Sequence, residues 1–180
     1  MNNEKISLFS ITLILLIEVL VLAQKKIAIF YFNLAILLAL LLIYILNKRT
    51  PVPIMPTLFI TFVGFFNFIA DIIEIDGVKL YDVTFLFVRT DMVIHFLTAF
   101  SLTIIIYSLL KVKVKTTKNI LLILSLLITM GFGALYEIFE LIGTFILTTS
   151  IVGNYLNNAL DLVLDLLGAL ASLLYLYKID

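Results

Sequence analysis

Residues 119–147 read NILLILSLLITMGFGALYEIFELIGTFIL. Leucine and isoleucine dominate, and no period-two alternation runs through them, so the stretch reads as a helix and not as the strand of a membrane barrel. About 20 apolar residues suffice for a helix to cross ~30 Å of hydrocarbon. This run is longer, which predicts a tilt, or a break near Gly131 and Gly133. It also carries two acids. At 1.5 Å per residue, Glu137 and Glu140 fall roughly 27 and 31 Å beyond Asn119, towards the far end of the span. A charge near the bilayer centre costs about 2.5–3.5 kcal/mol, so such residues face a bundle interior or a water-filled cavity. One segment therefore announces both a membrane protein and a polar site inside it.

Working outward, the composition agrees. Of 180 residues, 63% are hydrophobic and 13% charged, and the mean hydropathy is +1.23. Soluble domains carry roughly 45–50% apolar and about 25% charged residues, so this chain lacks the polar residues to clothe a soluble surface. Its formal net charge of zero gives no reason to expect nucleic acid as a partner. No cysteine is present, which excludes disulfides, thiolate metal sites and thiol nucleophiles.

Six apolar segments are legible, at 6–23, 27–46, 54–73, 92–110, 119–147 and 157–177. They predict an all-α, polytopic transmembrane bundle of about six helices, with residues 1–180 forming one transmembrane domain. Polar breaks separate them: Gln24-Lys25-Lys26, Asn47 to Pro53, about Ile75 to Thr90, Lys111 to Lys118, and Thr148 to Tyr155. Asp76-Gly77 is a turn signal. Tyr81 to Val88 is apolar but too short to span, which predicts an interfacial or re-entrant segment. The first segment is expected to be retained and not cleaved as a signal peptide, since it is long and holds Glu18.

With six spans, the side holding both termini carries Lys5, Lys48, Arg49, Lys111, Lys113, Lys115, Lys118 and Lys178. The opposite side carries Lys25, Lys26, Lys79 and Arg89. The positive-inside rule then places both termini in the cytoplasm of a cell-membrane protein. The clustered lysines from Lys111 to Lys118 read as topology determinants that touch anionic headgroups.

On this topology, polar groups scattered along the chain share one depth near the outer face. Asp91 and the sole histidine, His95, open the fourth helix; Glu137 and Glu140 lie late in the fifth; Asp161 and Asp165 begin the sixth; Asn67, Asp71 and Glu74 end the third. Residues three or four apart share a helix face. Four stripes result: Asp91, His95 and Thr98; Gly133, Glu137, Glu140 and Thr144; Asp161, Asp165, Gly168 and Ser172; Gly64, Asn67, Asp71 and Glu74. Their small residues permit close helix approach. The competing reading is that the polar groups are fasteners only, although hydrogen bonds of this kind return just ~0.6–2 kcal/mol each. Glu18, away from these stripes, is balanced between a pore-lining and a pairing role.

Asp91-x-x-x-His95-Phe96, then Ala134-Leu135-Tyr136-Glu137-Ile138-Phe139-Glu140, then Asp161-x-x-x-Asp165-x-x-Gly168-Ala169 resembles the YjdF-like and VanZ-like families of small bacterial and archaeal membrane proteins. The likeness covers roughly residues 85–175; the first three helices agree only in hydropathy. It carries Asp91, His95, Glu137, Glu140, Asp161 and Gly168 over as shared positions. Asp165 stands where the VanZ-like pattern favours Asn, and the acidic, Gly-rich approach to the last helix is reduced to Gly153-Asn154-Tyr155 with Asn157 and Asn158. VanZ-like members are associated with low-level glycopeptide resistance.

The leading functional expectation is a buried, outward-facing pocket that binds a divalent cation or a cationic or hydroxylated headgroup of a lipid or envelope component. Its candidate metal ligands are Asp91, His95, Glu137, Glu140, Asp161 and Asp165. Carboxylates suit magnesium, calcium or manganese, and a single histidine argues against a His-rich zinc site. The alternative is a metal-assisted hydrolase or transferase of a lipid or envelope substrate, with His95, Glu137 and Asp161 as catalytic groups. A small transporter or structural subunit, working as a homo-oligomer or with a membrane partner besides the lipid bilayer, is the third. The sharpest geometric expectation is that His95, Glu137 and Asp161 meet in one pocket, with Asp91 and Glu140 at its rim orienting His95 and Glu137.

Overall fold

The computed structural model describes residues 3–24, 27–48, 52–85, 88–147 and 155–179. Six long helices account for most of them: α1 (Asn3–Ala23), α2 (Ile27–Asn47), α3 (Ile54–Ile72), α4 (Thr90–Lys113), α5 (Lys118–Leu147) and α6 (Tyr155–Ile179). Each is long and apolar enough to cross a membrane. Leu8, Phe9, Leu16, Val19, Leu127, Phe139 and Leu174 stand exposed along them. In water such a surface would associate; in lipid it is the natural outer face, since tails solvate leucine as well as a protein core does.

α4 organises the bundle. It packs most extensively on α6, and also on α3 and α5, while α1, α2 and α3 pack on one another. One apolar core holds Ile14, Leu40, Ile43, Ile60 and Val63 with Ile94 and Ile105 of α4. A second joins Ile104 and Tyr107 of α4 to Leu121, Leu122 and Leu176. The α4–α6 approach is set at Gly168, where a methyl group would lie 2.2 Å from the Phe96 carbonyl oxygen. Only a glycine lets the two backbones come so close. Between α4 and α5, the Thr103 hydroxyl donates to Thr129 at 2.9 Å. At the termini side, Asn47 ends α2 by accepting from Val52 N–H at 2.7 Å and donating to the Ser7 hydroxyl at 3.2 Å.

One sequence expectation needs amendment. α5 runs unbroken through Gly131 and Gly133, at ~45 Å for its 30 residues. Gly133 serves an approach and not a break: a methyl there would meet the Asp165 carboxylate at 2.5 Å. The α3–α4 connection has more local structure than its short apolar run suggests. It forms two short antiparallel hairpins, β1 (Glu74–Ile75) with β2 (Val78–Lys79) and β3 (Thr84–Phe85) with β4 (Val88–Arg89), around a 3-10 turn at Leu80–Asp82. The first turns on Asp76 and Gly77, at φ 52° and 79°, the double positive φ that Asp-Gly supplies in a type I′ turn. The 3-10 turn packs on the ends of α3 and α4 and caps the bundle on the face away from the termini. The loop at Thr148 to Asn154, the Lys25-Lys26 pair, Arg49 and the side chain of Thr144 lie outside the described residues.

Candidate functional site

The polar cluster lies under this cap. His95 is five residues into α4, Asp161 six into α6, and Glu137 ten from the end of α5, or about 8, 9 and 15 Å from those helix ends. Opposed chain directions thus bring three distant stretches of sequence to one membrane level. One donor atom each of His95, Glu137 and Asp161 fall within 4.8 Å of one another. The expected meeting of these three groups is what the fold produces.

His95 lies between acids on both ring nitrogens. Nδ1 is 3.3 Å from Asp165 Oδ1, and Nε2 is 3.9 Å from Glu137 Oε1. The Tyr136 ring meets the imidazole edge-on at 5.7 Å between centroids. The three acids of the cluster are buried: Glu137 is 8% exposed, Asp161 3% and Asp165 4%. Asp161 Oδ2 accepts from the Asn157 amide at 2.7 Å. Asp161 Oδ1, Asp165 Oδ2 and both oxygens of Glu137 have no hydrogen-bond partner among the described residues. Buried polar atoms are satisfied in the great majority of cases, so four unsatisfied carboxylate oxygens around one imidazole demand an explanation.

Asp91 departs from its expected role. It does not orient His95: Oδ2 pairs with Arg89 Nη2 at 2.7 Å, and Oδ1 accepts the Met92 N–H at 2.8 Å, where an acid also suits the positive end of α4. Asp165, the outlying member of the sequence pattern, holds His95 instead. One turn separates it from Asp161 on α6, and that turn carries it past the imidazole to Nδ1. Glu140 is half-buried and lies beside Tyr136. The fourth stripe has partners of its own. Gly64 of α3 faces Ile14 of α1 and Asn33 and Ile36 of α2, Asn67 is buried, Asp71 pairs with Lys79 at 2.5 Å, and Glu74 is exposed in β1. Glu18 is buried beside Asn33 in the α1–α2 core, apart from the histidine cluster.

Two further residues frame the site. Tyr136 was visible only as the neighbour of Glu137 in the quoted motif. Tyr81, in the cap, had no sequence signal, since its position depends on the fold of a loop. Burial pushes the Tyr81 hydroxyl well above the usual tyrosine range, and the charges of Glu140, Asp91 and Asp161 push it the same way. The phenol therefore holds its proton beside these acids. Arg89 pairs with Asp82 at 3.1 Å as well as with Asp91, tying the cap to the start of α4.

Six apolar spans that enclose an acid–histidine cluster define a multi-pass helical membrane protein with a buried polar centre. The chain belongs to the family described as Predicted membrane protein (DUF2238), which it matches over residues 5–180. That description supports the membrane assignment across nearly the whole chain, beyond the C-terminal half where the YjdF-like and VanZ-like resemblance lay, and it carries neither of those two names. No curated protein and no solved structure matches the chain.

Proposed function

We propose that the cluster is a divalent-cation site whose ligands are His95, Glu137 and Asp161. The observation that carries this reading is the convergence of their donor atoms within 4.8 Å while Glu137 and Asp161 keep buried oxygens without hydrogen-bond partners. Two ligands of one ion with bonds of 2.0–2.6 Å stand at most about 5 Å apart. Asp165 fits the role that a carboxylate commonly takes beside a metal-bound histidine. By accepting the Nδ1 proton it fixes the tautomer and leaves the Nε2 lone pair facing Glu137. Two carboxylates and one imidazole favour a hard or borderline ion such as manganese or magnesium. Asp91, Glu140 and Asp165 then form the surrounding shell and not the ligand set.

Positive-inside bias places the cap outside a cell membrane, so the site faces the outer surface. Cysteine labelling at Lys113 from the inside and at Asp76 from the outside checks that orientation. Metal analysis tests the site itself. Purified protein should hold about one Mn²⁺ per chain, and Mn²⁺ at 100 times its Kd should stabilise the fold by about 2.7 kcal/mol. Glu137→Gln should abolish both effects while the apoprotein remains folded. No bound ion and no stabilisation by Mn²⁺ or Mg²⁺ would overturn the proposal, and full apoprotein stability in Glu137→Gln would then mark the cluster as a set of helix fasteners.

A second reading is favoured by the Asp165–His95 contact alone. An imidazole held at Nδ1 by a carboxylate, with Nε2 free, is also the arrangement of a general base. Under this reading an ion held by Glu137 and Asp161 without His95 would activate water, and His95 would take its proton, for attack on a lipid or envelope substrate. Loss of activity in His95→Gln with metal content retained would select it.

A further inference from the structure

A cavity of about 390 Å³ opens beside the cluster, between α2, α4 and α5. That is within the range of small-molecule sites, roughly 300–1,000 Å³. Its two ends differ in chemistry. His95, Thr98 and Asp165 line the end nearest the cap; Leu38, Ala39 and Leu42 of α2 with Leu102 of α4 line the rest. Along α2 the lining extends from Phe32 to Leu42, about 15 Å at helical rise. Phe32 meets Tyr136 edge-on at 6.0 Å between centroids and bridges α2 to α5 at the polar end. Below that bridge the crevice opens sideways. α2 packs on α1 and α3, α5 packs on α4 and α6, and Leu38 and Phe132, both more than half exposed, flank the mouth. At this level of the spans the exposed side is hydrocarbon, not water.

We infer that the crevice holds one acyl chain of a bilayer lipid from the leaflet on the cap side, with the lipid's polar end at the His95–Asp165 end. The inference rests on reading the polar cluster as a ligand site. Three features favour a lipid over an apolar helix or a soluble ligand. The polar end lies at the depth of a headgroup boundary and the apolar end runs towards the bilayer centre, which is how a lipid of that leaflet already lies. The mouth is lateral, so a chain enters without crossing the cap. The Asp165 carboxylate lines the cavity with Oδ2 unpartnered and the residue 4% exposed, a polar group that a headgroup or its bound ion could engage.

A phosphatidylethanolamine with a photoactivatable diazirine midway along one chain, reconstituted with the full-length protein and illuminated, tests this. Adducts are mapped by peptide mass spectrometry. Residues 38–42 and 129–132 should be labelled at least about fivefold above the outward face of α1 around Leu16, a preference of about 1 kcal/mol. Ala39→Phe, which fills the crevice, should bring that ratio towards one, and the wild-type map stands by itself if this variant does not fold. Uniform labelling of crevice and outer faces would overturn the inference. Measuring Mn²⁺ content of the same samples separates the two claims. Enrichment in protein that takes up no Mn²⁺ keeps the crevice and rejects the cation; Mn²⁺ uptake with uniform labelling does the reverse.

Discussion

Replacing Gly168 by alanine should loosen the whole cap-side centre from a position outside it. The added methyl would stand 2.2 Å from the Phe96 carbonyl oxygen, 3.0 Å from the Phe96 carbonyl carbon and 3.2 Å from the Phe100 nitrogen. All three are backbone atoms of α4, so no rotamer relieves the clash. Restoring an ordinary contact of 3.4 Å to the oxygen requires 3.4 minus 2.2, or about 1.2 Å of separation between α4 and α6. Overpacking of this kind costs about 1–3 kcal/mol. Alanine's better helix propensity, about 0.8–1.0 kcal/mol, offsets only part of it. A net loss of up to about 2 kcal/mol is expected, at the most extensive helix contact in the protein. The same displacement acts one turn away on the 3.3 Å contact between Asp165 and His95 and would carry it beyond hydrogen-bond length. Unfolding in mixed micelles measures the stability, with Gly131→Ala as the control, since nothing lies within 4 Å of a methyl there. Gly131→Ala should be neutral or stabilised by up to about 1 kcal/mol. Gly168→Ala as stable as its parent would refute the close-approach argument.

Thr103→Val removes the hydroxyl that bridges α4 to Thr129 of α5 and should cost about 0.6 kcal/mol, the average for hydrogen bonds between membrane helices, and at most about 1.7, in the same micelle titration. A larger loss would mean that this bond fixes the packing of α5. Because Tyr81 is held above its ordinary pKa of 10.0, the folded state retains the phenolic proton longer than the unfolded chain does. Its contribution is therefore intact below pH 10 and lost as pH rises beyond it, by up to about 1.4 kcal/mol per pH unit. Tyr81→Phe should flatten the alkaline fall in stability; an unchanged slope would place Tyr81 in solvent.

The spans were legible because hydrocarbon imposes length and apolarity on each of them, whatever the packing. The shared depth of His95, Glu137 and Asp161 followed from counting rises along alternately directed helices, and the inward stripe from their three- and four-residue spacing. Which acid would touch which imidazole nitrogen was not legible. That depends on the rotation of α6 about its axis, which the Gly168 contact with Phe96 sets and no periodicity encodes. The expected Asp91–His95 contact gives way for a local reason: Arg89, two residues away, and its own helix end take both oxygens. The cap was invisible beyond its Asp-Gly turn, since two-residue strands have no pattern to read. Gly131 and Gly133 suggested a break, yet a helix in hydrocarbon has every reason to keep its backbone hydrogen bonds.

The separation of 70 residues between His95 and Asp165 has a consequence for biogenesis. At 5–20 residues per second, synthesis delivers the acid roughly 3.5 to 14 s after the histidine. Throughout that interval α4 exists with its Asp91–Arg89 pair available locally, but with the imidazole's partners still in the ribosome. Lateral release of α4 into lipid before that point leaves His95 without its contacts to Glu137 and Asp165. The imidazole gains both of its acidic neighbours only when α5 and α6 are in place. Assembly of the polar centre therefore waits on α6, whatever order the helices pack in before it.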